Sequence, residues 1–182
     1  LIRSGKTLVS DGAWGTILQE RGLAVGECPD EWSISHPDTV TEIAVSYLAA
    51  GADMVETNSF GANRFKLGQF GLADKAAEIN EAAARASRNA LRGALDKFVI
   101  ASVGPTGKML VAEEVTESGL YDAFSEQVVA LERGGADAVC IETMTDITEA
   151  AIAIKAAREN TSLEIIATFT FDRTVQGTYR TM

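Results

Sequence analysis

Residues 47–58 read YLAAGADMVETN, and residues 130–143 read ALERGGADAVCIET. The two stretches share one grammar. An apolar helical segment stops at glycine, Ala-Asp follows, a short apolar run rich in strand formers comes next, and Glu-Thr closes it. The second run is two residues longer before its Glu-Thr. Glycine at the end of a helix supplies the left-handed turn that other residues resist, and Ala-Asp starts a new extended segment. The repeat is therefore a helix-to-strand joint used twice. It sets Glu56 and Glu142 near the C-terminal ends of two strands, the end at which parallel α/β folds bind ligands.

Working outward, strands are predicted over residues 7–10, 53–58, 98–103, 137–142 and 164–170. Each is short and apolar, as strands buried on both faces are. Helical segments alternate with them. Pro37 follows Ser35-His36 and suits a first turn. Val40, Ile43, Ala44, Tyr47 and Leu48 then form one apolar face ending at Gly51. Residues 72–95 are alanine-rich, with Ala76, Ile79, Ala83, Ala86 and Ala90 on one side. Leu120, Phe124, Val128 and Leu131 stripe the next helix, which Gly134-Gly135 ends. Asp146 and Glu149 open another, whose inward face is expected to be Ile147, Ala151 and Ile154. The order β-α-β-α-β-α-β-α-β implies a parallel sheet with helical crossovers. Two closures fit it: a five-stranded doubly wound sheet, or an eight-stranded barrel of roughly 250 residues cut after strand 5. Glycine-rich nucleotide fingerprints are absent from the sequence, which weighs against a nucleotide-binding doubly wound domain.

Composition bounds the function. The 182 residues are 46% hydrophobic, enough to bury a substantial core. Sixteen basic residues against 26 acidic ones leave a net charge of −10. That argues against a nucleic-acid surface and offers no basic patch to a membrane. The sequence holds neither a membrane-length apolar run nor a signal-peptide pattern. Cys28 and Cys140 stand far apart and make neither a disulfide framework nor a zinc motif. A reducing cytoplasm is the expected location. With Leu1 at one end and Met182 at the other, the chain is expected to be a piece of a longer protein.

The stretch DGAWGT, residues 11–16, follows the first predicted strand. Its glycines let backbone approach a ligand, and its amides suit a carboxylate. An ordinary strand-to-helix turn with Asp11 as a cap is the alternative. His36, the only histidine, is expected at the helix start rather than on a metal. Trp14 is expected to wall a mouth, and Trp32 to pack.

Five motifs in order, DGAWGT, GADMVETNSFGAN, ASVGPTGK, IETMTDITEA and ATFTF, resemble the homocysteine S-methyltransferase family, over nearly the whole chain. The resemblance implies an α/β fold, a (β/α)8 TIM barrel of which residues 1–182 supply roughly strands 1–5, as the N-terminal portion of a homocysteine-binding domain. It implies methyl transfer to the homocysteine thiol to make methionine. It also implies zinc held by three cysteines after strands 6 and 8. Neither Cys28 nor Cys140 matches those positions, so metal ligands are expected outside this chain. Methylcobalamin and methyltetrahydrofolate, acting through a corrinoid-binding domain or protein, are the implied donor system. Another donor or thiol acceptor stays open, as does a non-catalytic half-barrel completed by a partner. Carried onto this sequence, the family's substrate-binding positions fall on Asp11, Gly12 and Ala13, and Glu142 takes the substrate ammonium. Asn58, at the end of strand 2, is expected to face the same mouth, with a turn-capping role as its alternative. Gly104 to Gly107 are expected to shape the rim.

Overall fold

The computed structural model describes residues 5–181. Its main sheet has four parallel strands in consecutive order, β1 (Met54–Glu56), β2 (Phe98–Val103), β3 (Ala138–Met144) and β4 (Glu164–Phe169). Met54 pairs with Phe98, Ser102 with Cys140, and Cys140 with Ile166. The predicted strand at residues 7–10 shrinks to a single parallel bridge, Ser10 to Met54. It is extended by bonds from the Asp53 and Met54 amides to the Val9 carbonyl and from the Asp11 amide to the Met54 carbonyl. It lies beside β1, at the start of the consecutive order. A doubly wound sheet would reverse direction across its first strand, and this sheet does not. The architecture is that of a partial (β/α)8 barrel.

Helices α1 (Gly15–Glu20), α2 (Trp32–Ser35), α3 (Pro37–Ala49), α4 (Arg64–Gly68), α5 (Ala76–Ala90), α6 (Glu117–Gly134) and α7 (Ile147–Asn160) complete the layers. Of these, α5 packs between α3 and α6, and α6 between α5 and α7, as neighbours in an outer ring do. The apolar stripes expected on α5 and α6 are buried, and on α3 Val40, Ile43 and Ala44 are buried while Tyr47 and Leu48 are half-buried. The stripe expected on α7 is displaced. Ala150, Ala153, Ala156 and Ala157 are buried there, whereas Ile147 is 59% exposed. Asp146 caps the Thr148 and Glu149 amides and starts the helix where the sequence predicts, but packing against α6, β3 and β4 turns the alanine face inward.

The core lies between sheet and helices. Val55, Val99, Ala101, Val103, Val139 and Ile141 are fully buried on the helix-facing side of the strands. Strand alternation then turns Glu56, Ser102 and Glu142 to the other side, the barrel interior. Two glycines control the α6 junction. Gly135 takes φ +103° as the left-handed cap, and a Cβ on Gly134 would lie 2.4 Å from the Glu81 carbonyl oxygen of α5. Beyond β4 a small antiparallel hairpin follows, β5 (Asp172–Arg173) with β6 (Tyr179–Arg180), which the sequence reading did not anticipate.

Candidate substrate mouth

The C-terminal ends of β1, β2 and β3 open into a cavity of about 550 Å³, a size usual for small-ligand sites. Gly12, Ala13 and Trp14 line it from the loop before α1. Glu56, Thr57 and Asn58 line it from the end of β1, Ser102 from β2 and Glu142 from β3. Thr106 and Gly107 form part of the rim, as the motif after β2 suggested. Their loop is held from behind by the buried Glu149, which accepts bonds from the Thr106 amide (2.7 Å) and hydroxyl (2.6 Å).

Four of the five substrate-binding residues expected from the sequence thus line one cavity. Asp11 does not line it. Its Oδ2 accepts bonds from the Glu56 amide (2.8 Å) and the Trp14 indole nitrogen (2.9 Å), and its Oδ1 from the Ser10 hydroxyl (3.1 Å). Those bonds latch the DGAWGT loop onto β1 and orient Trp14 against the cavity. Burial nevertheless pushes the Asp11 carboxyl above its ordinary value, against the pull of these bonds. The side-chain nitrogen of Asn58 donates to the Pro29 carbonyl (2.7 Å), so Asn58 also ties down the loop before α2.

Glu142 is positioned from two directions. The Ser102 hydroxyl donates to its Oε1. Directly after it, Thr143 adopts φ +59°, a left-handed conformation that β-branched residues rarely take. A register shift between Ile141 and Met144 marks the bulge. Bulges re-aim side chains at strand ends, and strain of this kind gathers at functional sites. Behind Ser102 lies a buried hydroxyl network. The Thr57 hydroxyl accepts from the Ser102 amide (3.0 Å), and the Ser59 hydroxyl donates to the Ser102 carbonyl (2.8 Å).

The structure adds to the mouth Glu56, which the sequence reading placed at a strand end without assigning it to the substrate, and two residues that reading left out. Glu56 lines the mouth with its carboxyl pushed up to about 8, first by burial and then by the negative charges of Glu142 and Asp11. Asp30, only 5% exposed, is pushed up to about 6 by burial, although its Oδ1 accepts from the Gly61 amide (3.0 Å). Lys66 is the one cation among the lining residues. Its Nζ lies 4.8 Å from the centre of the Phe60 ring, and burial lowers its pKa. The Glu-Thr repeat was the available signal for Glu56. For Asp30 and Lys66 the sequence carried none.

A metal fits these residues poorly. Among the described residues no group of three or more His, Cys, Asp or Glu is placed to hold one. Cys28 and Cys140 are both buried, and burial pushes their thiols up to about 11 and about 12, so the metal-binding thiolate form is disfavoured. His36 is the N-cap residue of α3 and stacks on Trp32, with ring centroids 4.2 Å apart.

Fold and site together define a class: the first part of a (β/α)8 barrel with a carboxylate-lined ligand mouth at the C-terminal ends of its strands. The sequence profile of homocysteine S-methyltransferases matches residues 8–181, and the chain belongs to that family. It is 30% identical over 167 residues to a methionine synthase of Mycobacterium tuberculosis, and 31% identical over 163 residues to one of Mycobacterium leprae. Those alignments cover 86% and 84% of this chain, and the chain spans only 14% of the length of either relative. Among solved structures, the oxidized form of the homocysteine methyltransferase MmuM from Escherichia coli superposes with a TM-score of 0.81 at 23% identity. That match covers 98% of this chain and 68% of MmuM. The metallated form of MmuM gives a TM-score of 0.76 at 23% identity, covering 93% and 65%. At these identities the likeness establishes the fold.

Proposed function

We propose that these residues form the N-terminal part of a homocysteine-binding barrel domain, and that the protein transfers a methyl group to the homocysteine thiol to make methionine. The observation that carries the reading is Glu142. It is a carboxylate held by Ser102 in a half-buried mouth, across from the exposed backbone of Gly12 and Ala13. A free amino acid is a zwitterion. Its ammonium requires a fixed carboxylate, and its carboxylate requires amides that nothing else occupies. Asp11 contributes by holding the Gly12–Ala13 loop against β1. Asn58 helps to fix the opposite wall through Pro29. Trp14, Phe60 and Phe70 give the cavity an apolar lining that keeps water from the aliphatic part of the substrate.

The likeness to methionine synthases favours methylcobalamin, recharged from methyltetrahydrofolate and carried on a corrinoid-binding domain or protein, as the donor system. The zinc ion that the family resemblance implies would be held by cysteines outside these residues. A cytoplasmic location accords with the two free thiols. No helix among the described residues is long and apolar enough to cross a membrane.

The test is calorimetric titration of homocysteine into the full-length protein and its Glu142→Gln variant. Losing one charge-assisted bond costs about 1.5–3 kcal/mol, a roughly tenfold to hundredfold loss of affinity. Metal content should stay the same. Unaltered affinity would remove the support for this assignment.

A further inference from the structure

Glu56 stands apart from the other carboxyls that line the mouth. Glu142 is bonded to Ser102, and Asp30 to the Gly61 amide. The Glu56 carboxyl has no hydrogen-bond partner among the described residues. Its main chain, by contrast, is pinned on both sides: the amide donates to Asp11 Oδ2 (2.8 Å), and the carbonyl accepts from the Ser87 hydroxyl (2.8 Å) of α5. A carboxyl left unbonded on a main chain so firmly pinned, at the wall of a cavity, is arranged for something outside the protein. The charges facing it are Glu142 from β3 and Asp11 from the loop before α1, both negative. The one lining cation, Lys66, is drawn to Asp30 and Glu149 instead. A positive group set between Glu56 and Glu142 would relieve their repulsion. The family match, which is independent of this arrangement, supplies an amino-acid substrate with such a group.

We infer that Glu56 is a specificity-determining residue: with Glu142 it forms a two-carboxylate clamp on the substrate ammonium. The inference rests on the homocysteine reading above. An ammonium has three donors, so two carboxyls can be served at once. Burial and like charge push the Glu56 carboxyl up to about 8, so near pH 7 an arriving ammonium displaces its proton. The clamp thus selects amino acids over the corresponding deaminated thiols and couples binding to the loss of one proton.

The experiment uses the full-length protein with two ligands, homocysteine and 4-mercaptobutanoate, which keeps the thiol and carboxylate but lacks the amine. Titrations in buffers of different ionization enthalpy count the protons released. Near pH 7, homocysteine should release about one proton more than 4-mercaptobutanoate, since any proton lost from the thiol is common to both. In the Glu56→Gln variant that difference should vanish. Its homocysteine affinity at pH 8.5 should fall about tenfold, with 4-mercaptobutanoate affinity kept within about twofold. An equal loss for both ligands would show a merely structural role and overturn the inference. A loss in Glu142→Gln but not in Glu56→Gln would overturn the clamp and leave the homocysteine reading standing. No loss in either would bring down that reading itself. Should the Glu56→Gln variant fail to fold, Glu56→Ala takes its place, and equal affinity changes for the two ligands in that variant refute the clamp.

Discussion

Asp30→Asn should stabilize the protein at neutral pH and leave its stability near pH 4 almost unchanged. The Asp30 side chain is buried, and its carboxyl titrates at about 6 instead of the ordinary 3.8. Burial is the main cause, opposed by the Gly61 amide and by Lys66. In the unfolded chain the group ionizes freely near its ordinary value. Between about pH 4 and pH 6, therefore, the unfolded state gives up a proton that the folded state keeps, and stability falls as pH rises. A difference of about two pH units at 1.36 kcal/mol each sets a ceiling of about 3 kcal/mol on the penalty, reached above about pH 6 and absent below about pH 4. Asparagine keeps an oxygen for the Gly61 amide while removing the charge. The expected gain is about 1–3 kcal/mol at pH 7.5, shrinking toward zero at pH 4. Urea unfolding of both proteins at the two pH values measures it. A variant less stable at pH 7.5 would mean that attraction to Lys66 outweighs desolvation, and an offset equal at both values would mean that the two cancel; either result would sink the reasoning. A destabilizing ionizable group is retained most readily where function needs it, and Asp30 lines the mouth.

Two further perturbations test the packing. Gly134→Ala should gain up to about 1 kcal/mol of helix propensity but lose about 1–3 kcal/mol to overpacking, because the new Cβ meets the Glu81 carbonyl oxygen at 2.4 Å and the Ala84 Cβ at 2.6 Å. A lower denaturation midpoint is expected, and a raised one would contradict the close approach of α5 and α6. The buried thiols of Cys28 and Cys140 should resist a disulfide reagent at pH 7.5 in the native protein and both react in urea. Rapid labelling of either native thiol would contradict its burial.

The elements most legible in the sequence were those set by local chemistry. Helix stripes such as Leu120, Phe124, Val128 and Leu131 declare themselves by spacing, the left-handed glycine at 135 ends its helix, and Asp146 caps its own. Five motifs in order were enough to name the family and a partial barrel. The sequence alone also brought Gly12, Ala13, Asn58 and Glu142 forward as candidates for one mouth. The fold decided which groups each of them contacts. Asp11 is expected on the substrate, and the fold bonds its carboxylate to the Glu56 amide, 45 residues away in sequence. Isoleucine at 147 reads as core until the packing of α7 on α6, β3 and β4 is seen to take its alanine face instead. The states of Glu56, Asp30 and Lys66 depend on burial and on charges brought together by parallel strands and the loops between them. Propensity and periodicity act over a few residues and can be read from the chain. Desolvation and Coulomb interaction act through space, and only the folded arrangement determines them.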